Sequence, residues 1–209
     1  ISNNTIKNDH LFLGASASGS INITNNQFFD SSGYSTIELG QGTYLITGNL
    51  FYGTSRAIDS GEGSFIDGGV TISNNSFIDT DSGCNDQAQV SSGAGCGIRM
   101  KGPVNPTISN NKFHSINVGS GLANGVAIAL WRGGTVTNNT FSGNTGNSLI
   151  SRYQEWNDSA KPILTNNNFH SNSVSYIVYL QNDTVAGATA ANNWWGTTSD
   201  AEIQAKVFD

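Results

Sequence analysis

The chain has 209 residues and a formal net charge of −6, with 36% hydrophobic, 10% aromatic and only 11% charged residues. That length suits a single domain with a sizeable core, and the aromatic content argues against disorder. An acidic chain lacks the basic face that nucleic acid requires, so nucleic acid is excluded as the main partner. The longest apolar run, residues 176–180, is far shorter than the ~20 residues of a membrane helix, so no membrane span is predicted.

A six-residue pattern recurs along the whole chain. It reads apolar, Ser or Thr, Asn, Asn, any residue, then an aromatic or apolar residue, as in residues 72–77. The pattern returns about once every 20–40 residues, and repeats of that period built from β-forming residues are typical of solenoids. We therefore predict an all-β fold: a single parallel β-helix domain over 1–209, with about eight turns and three short strands per turn. The second Asn of the pattern falls at Asn4, Asn26, Asn49, Asn75, Asn111, Asn139, Asn167 and Asn193.

Each repeat predicts three strands in chain order. One strand precedes the Asn pair, one follows it, and the third is a separate apolar segment. The last residues of the pattern should stack as an internal aromatic column from Phe28 to Trp195, because successive turns lie ~4.8 Å apart. The Asn side chains should form a ladder at a corner where Asn tolerates the left-handed backbone. The separate segments are 36–39, 57–60, 97–100, 127–130, 148–151 and 177–180.

With these motifs, the chain resembles the right-handed parallel β-helix repeat proteins of the pectate-lyase-like superfamily. The closing residues 192–197, Asn-Asn-Trp-Trp-Gly-Thr, are similar to a segment found near the end of such domains in secreted and cell-surface proteins. The resemblance implies a right-handed helix and a secreted or cell-surface location. It does not decide the function, because this fold hosts lyases, hydrolases, epimerases, adhesins and phage tail proteins.

The two ends of the chain differ. The chain begins inside a repeat, so it is expected to be a fragment of a longer protein. Residues 198–209 are predicted to form a C-terminal cap, because Ser199 is followed by Glu202 three residues on and by apolar residues at helical spacing.

The longest step between repeats contains an insertion, roughly 80–95, that holds both cysteines, Cys84 and Cys96. Two cysteines around one loop predict a disulfide in an oxidising compartment; two free thiols of a cytosolic protein are the alternative. The loop also holds Asp79, Asp81, Asn85 and Asp86, oxygen ligands of the kind Ca²⁺ needs. They lack the usual calcium-loop pattern, so solvated acids are the simpler interpretation, and no cofactor or metal site is predicted.

The candidate catalytic residues are Glu38, Asp59 and Arg99. The resemblance implies active sites on the sheet formed by the separate segments. Their outward row is predicted as Glu38, Asp59, Arg99, Ala129, Ile150 and Tyr179. Glu38 and Asp59 should then lie ~5 Å apart on adjacent turns, a spacing that suits a retaining glycosidase, and Arg99 could hold a substrate carboxylate. The alternative is a solvated face with an ordinary Asp59–Arg99 ion pair.

The candidate carbohydrate-binding residues lie further along the same face. Large exposed aromatic side chains stack on sugar rings, and arginines bond hydroxyls or carboxylates. The alternative is that Trp156 folds back over Trp131 as a local satellite core. These candidates are Lys101, Trp131, Arg132, Arg152, Tyr153 and Trp156.

Two further residue patterns have simple interpretations. His10 has no evident partner in the sequence, and His114 and His170, two turns apart, are too distant to share a metal. Six Asn-x-Ser/Thr sequons are attributed to the repeat's composition, because three are assigned to the buried ladder. They begin at Asn3, Asn22, Asn74, Asn138, Asn157 and Asn182.

Three functions remain open. The first is a secreted or cell-surface module that binds an extended polysaccharide or surface glycan along one sheet face. The second is a polysaccharide-active enzyme: a lyase, glycoside hydrolase or epimerase. The third is a structural or adhesin spacer. An enzyme needs titratable groups that converge in a cleft, whereas a spacer needs no exposed aromatic cluster.

Overall fold

A computed structural model of the chain describes residues 1–13, 19–31, 35–60, 68–80, 97–101, 105–117, 127–153, 160–181 and 188–208. Its strands form three parallel sheets, each taking one strand from successive turns. The first sheet consists of β1 (Thr5–Lys7), β4 (Gln27–Phe29), β7 (Leu50–Tyr52), β10 (Ser76–Ile78), β13 (Lys112–His114), β16 (Thr140–Ser142) and β19 (Asn168–His170).

The second sheet carries the separate apolar segments. Its strands are β2 (Leu11–Leu13), β5 (Ile37–Leu39), β8 (Ile58–Ser60), β11 (Ile98–Met100), β14 (Ile128–Leu130), β17 (Thr145–Tyr153), β20 (Ser173–Gln181) and β22 (Val207–Phe208). The third sheet consists of β3 (Ser20–Thr24), β6 (Thr43–Thr47), β9 (Val70–Ser73), β12 (Thr107–Ser109), β15 (Gly134–Thr137), β18 (Pro162–Thr165) and β21 (Thr189–Ala191). The predicted solenoid of about eight turns with three strands per turn is confirmed.

The aromatic column lies on the core-facing side of the first sheet. Six phenylalanines and Trp195 stack in sequence, with centroid separations from 4.7 to 5.4 Å. The six phenylalanines are at most 1% exposed. Each ring follows the Asn pair by the same number of residues. The parallel register therefore places the rings directly above one another in the core. The phenylalanines are Phe28, Phe51, Phe77, Phe113, Phe141 and Phe169.

The Asn ladder occupies the corner between the third and first sheets. The Asn139 Oδ1 accepts from the backbone N–H of Asn111 at 2.9 Å and from its Nδ2 at 3.0 Å, and Asn139 then donates to Asn167 in the same way. The residue before each ladder Asn is left-handed, as at Asn138 with φ 56°. The third repeat has Gly48 there, with φ 69°. The Asn pair is therefore two positions with different roles, one at the turn and one in the ladder.

The second sheet corrects one predicted alignment. Ile128 pairs with Ile150 and Ala129 pairs with Ser151, so Ser151 rather than Ile150 stands in the outward row. Arg152 consequently shares the inward row with Leu130 and Leu180. Leu149 and Ile150 are both buried, so apolarity alone does not reveal which of them points into the core. The hydrogen-bond register decides it.

The C-terminal cap is confirmed. Helix α1 (Asp200–Gln204) starts after Ser199, whose side chain accepts from the Glu202 N–H. Strand β22 then pairs with β20 and extends the second sheet. Among the described residues, no helix has the length and apolar character needed to cross a membrane.

Tyr44 makes the stability of the fold depend on pH. Its ring is 1% exposed and its hydroxyl donates to the carbonyls of Leu13 and Gln41. Burial raises the pKa of Tyr44 above its usual value, because the phenolate is poorly solvated there. Protonated Tyr44 therefore favours folding below pH ~10, and this contribution is lost as the pH rises from the unfolded toward the folded pKa. Melting temperatures measured above pH ~10 should fall less steeply for Tyr44→Phe than for the native protein; equal slopes would contradict this.

Candidate functional site

A buried charged cluster lies on the outward side of β8 and β11. Asp59 and Arg99 are each 3% exposed. The Arg99 Nε donates to Asp59 Oδ1 at 2.8 Å, and a terminal nitrogen of Arg99 donates to Oδ2, which makes the pair bidentate. Arg56, also buried, donates to the same Oδ2 at 3.0 Å. The Asp59 carboxylate is therefore held between two guanidinium groups.

Arg56 was missed by the sequence analysis. It precedes Asp59 by three residues and lies just before β8, so the local spacing was the only signal that could have found it. The predicted Asp59–Arg99 contact is present, but in a buried setting. Bidentate, buried carboxylate–guanidinium pairs fix side chains in one geometry.

Glu38 is the neighbour of Asp59 on the adjacent turn, as predicted. Its environment is different: the side chain is 29% exposed, and its Oε2 lies 3.7 Å from His10 Nε2. His10 therefore has a partner after all, which the sequence alone did not reveal. Of the two candidate carboxyls, Glu38 is the one within reach of solvent. No group of three His, Cys, Asp or Glu side chains in the described ranges could hold a metal ion.

The predicted binding residues on this face are also covered. Lys101 and Trp131 are 6% and 2% exposed, and Lys101 Nζ lies 5.0 Å from the Trp131 ring centroid. Arg152, predicted on the same face, lies in the inward row and is 1% exposed. The expectation that Trp131 is an exposed aromatic is therefore wrong. Alternation along the strand correctly places Trp131 outside the solenoid core, but burial depends on what packs over the sheet. Arg132 is half-buried.

The remaining candidates lie at the end of β17 or outside the described residues. Tyr153 lies at the end of β17 and pairs with Gln181. Trp156, Cys84, Cys96, Asp81, Asn85 and Asp86 lie outside the described residues. The disulfide and the carbohydrate-binding and catalytic roles remain predictions.

An outward-facing row on the first sheet was not predicted. It consists of Lys7, Phe29, Tyr52, Ile78 and His114, which are aligned by the register of successive strands, and we call it the aromatic row. The Phe29 and Tyr52 rings lie 6.3 Å apart, and Lys7 Nζ lies 5.5 Å from the Phe29 centroid. Tyr52 is 42% exposed. From Phe29 to His114, each member directly follows a phenylalanine of the core column, so the repeat pattern contained the signal.

Polar groups border the aromatic row. Asp30 and Asp79 occupy the next corner with left-handed backbone, φ 54° and 50°. Beyond Ile78, the Nδ1 of His114 lies 3.1 Å from Ser142 Oγ. The row thus combines apolar faces with carboxylate, imidazole and hydroxyl groups on neighbouring positions.

A half-open cavity of about 250 Å³ lies beneath the C-terminal cap. Phe169, Val174 and Trp195 supply its apolar wall. Its two charged groups bond within the protein, since Lys206 Nζ donates to the Val174 carbonyl and the Thr197 hydroxyl donates to Glu202. The polar rim of the cavity is used to hold the cap.

A family model described as the right-handed beta helix region matches residues 78–201. No curated protein and no solved structure matches the chain. The family model covers more than half of the chain, and the three parallel sheets agree with it. The chain belongs to the right-handed β-helix family.

Proposed function

We propose that this β-helix domain is a secreted or cell-surface module that binds an extended polysaccharide along the aromatic row of its first sheet. The observation that carries the proposal is the outward-facing, in-register succession of Phe29, Tyr52 and Ile78 on adjacent turns. Tyr52 is 42% exposed, and Phe29 and Ile78 are half-buried. Flat aromatic faces stack on sugar rings. The ~4.8 Å step between turns is close to the length of one sugar residue, so a glycan chain could lie along the solenoid axis.

The charges near the row favour an uncharged glycan. Lys7 and Lys112 are balanced by Asp30 and Asp79 at the adjacent corner. Recognition would therefore rest on stacking and on hydrogen bonds from sugar hydroxyls to the carboxylates. The proposed location agrees with the predicted disulfide between Cys84 and Cys96, because disulfides persist in oxidising compartments.

Burial argues against the middle of the second sheet as the binding face. A glycan must contact its protein directly, and Trp131, Arg99 and Lys101 are each less than 10% exposed. The aromatic row offers contact without rearrangement.

Replacing Tyr52 or Phe29 with alanine should weaken polysaccharide binding about 10-fold, the scale of ~1–2 kcal/mol for one lost stacking contact. A panel of immobilised neutral and uronate-containing polysaccharides would identify the ligand, and affinity would then be measured by calorimetry. Leu45→Ala and Ile163→Ala are matched controls, because these apolar residues on the third sheet are 38% and 43% exposed. They should leave affinity unchanged.

Two results would redirect the proposal. If folded Trp131→Ala lost binding while Tyr52→Ala did not, the second sheet would be the binding face. If no polysaccharide of the panel bound, the spacer function would replace it. Product analysis after incubation with any bound glycan distinguishes turnover from binding, and Glu38→Gln would remove turnover only if Glu38 acts as the acid.

A further inference from the structure

The sequons of the described residues all begin at exposed side chains. This holds for Asn3, Asn22, Asn74 and Asn138. The sequence analysis assigned three of them to the buried ladder, and the structure overturns that assignment. In the sequons of the repeat, the acceptor is the first Asn of the pair, whereas the ladder uses the second.

Asn74 and Asn75 show the contrast. Asn75 is 1% exposed and bonds through its side chain to Asn111. Asn74 has φ 57°, and its backbone N–H donates to the Ser109 carbonyl at 3.1 Å, while its side chain points to solvent. Asn138 has the same arrangement, with φ 56° and its N–H donating to the Thr165 carbonyl at 3.1 Å. The corner is thus held by the backbone of the first Asn, and its side-chain amide is accessible.

We propose that Asn74 and Asn138 are N-glycosylation sites, which places covalent glycans on the edge between the third and first sheets. The Ser or Thr that completes each acceptor pattern is Ser76 or Thr140, on the outward side of the first sheet. The proposal rests on the export from the cell that is part of the proposed function. It adds a modification that glycan binding by the aromatic row does not require.

The transfer is chemically balanced with a lipid-linked oligosaccharide diphosphate as the donor. The side-chain Nδ2 forms a bond to the anomeric carbon of the donor sugar. The bond between that carbon and the diphosphate oxygen breaks, the lipid diphosphate leaves with the electron pair, and the amide loses one proton. Nothing is oxidised or reduced, and the product amide remains neutral.

A glycan at this corner would not disturb the fold. The side chain of Asn74 makes one long contact, 3.5 Å from Nδ2 to the Thr47 hydroxyl, so little is lost when the amide is modified. Asn74 and Asn138 lie on turns that are two steps apart, which separates their glycans by ~10 Å.

The chain itself offers matched controls. Asn110 and Asn166 occupy the same exposed corner, with φ 56° and 57°. They are followed by Asn-Lys and Asn-Asn, so neither forms a sequon. Position, backbone and exposure are equal, and only the acceptor pattern differs.

The experiment compares these four residues in the exported protein from its native source, and in the chain secreted from yeast. Enzymatic release of N-glycans in heavy-oxygen water, followed by peptide mass spectrometry, marks each modified Asn. We expect the mark at Asn74 and Asn138 and none at Asn110 and Asn166. In the yeast material, Ser76→Ala and Thr140→Ala should each abolish the mark at their own site, and Ser76→Thr should keep it.

Unmodified Asn74 and Asn138 in the native exported protein would overturn the proposal, even if yeast modified them. Equal marking of Asn110 would also overturn it, because deamidation rather than glycan release would then explain the signal. Polysaccharide binding is measured on the unglycosylated protein with the Tyr52 and Phe29 variants, so either proposal can fail without the other.

Discussion

Phe141→Ala is expected to lower the free energy of unfolding by about 3–5 kcal/mol. The Phe141 ring lies 4.7 Å from Phe113 and 4.9 Å from Phe169, centroid to centroid, and is fully buried. Truncation would remove two ring contacts and leave a cavity in the middle of the column. The neighbouring turns could not collapse into the cavity, because their backbones are fixed by parallel hydrogen bonds on both sides.

Denaturant unfolding, monitored by far-ultraviolet circular dichroism, would measure this effect. Phe29→Ala is a suitable control, since Phe29 belongs to the same sheet but is on its outward side and only half-buried. Phe29→Ala should lower the free energy of unfolding much less than Phe141→Ala does. A loss below about 1 kcal/mol for Phe141→Ala would show that the column does not stabilise the fold in the way its geometry indicates.

Asp59→Ala is expected to destabilise the protein by about 3–5 kcal/mol, because it removes the carboxylate shared by two buried guanidinium groups. Arg56 and Arg99 would keep their charges, as arginine does not lose its proton in proteins. Both guanidinium groups would stay buried without the carboxylate that they now contact. The cost comes from leaving charge in a poorly solvated site rather than from the strength of the ion pair itself.

Glu38→Gln is the matched control for this effect. Glu38 occupies the same row one turn away, but its side chain is 29% exposed and faces His10. Its replacement should cost less than about 1 kcal/mol, as for other exposed pairs. If Asp59→Ala were equally mild, Asp59 would not be a structural anchor, and its candidate catalytic role would gain weight.

The aromatic row illustrates what sequence reasoning overlooked and why. Phe29, Tyr52 and Ile78 directly follow the core phenylalanines, so alternation predicts that they face outward. The prediction for Trp131, the larger aromatic, equated an outward position with an exposed one. Tyr52 and Trp131 both lie outside the solenoid core, yet they are 42% and 2% exposed.

The amino-acid sequence by itself determined the repeat, the three strands per turn, the Asn ladder, the aromatic column and the C-terminal cap. These follow from local periodicity, since each turn places equivalent residues directly above those of the previous turn. Only the tertiary structure decided the register that puts Ser151 outward and Arg152 inward, the pairing of Asp59 with Arg56, and the burial of Asp59 and Trp131 on the outward side of the second sheet. Register depends on hydrogen bonds between distant segments, and burial depends on what covers a sheet; neither is contained in the period of the repeat.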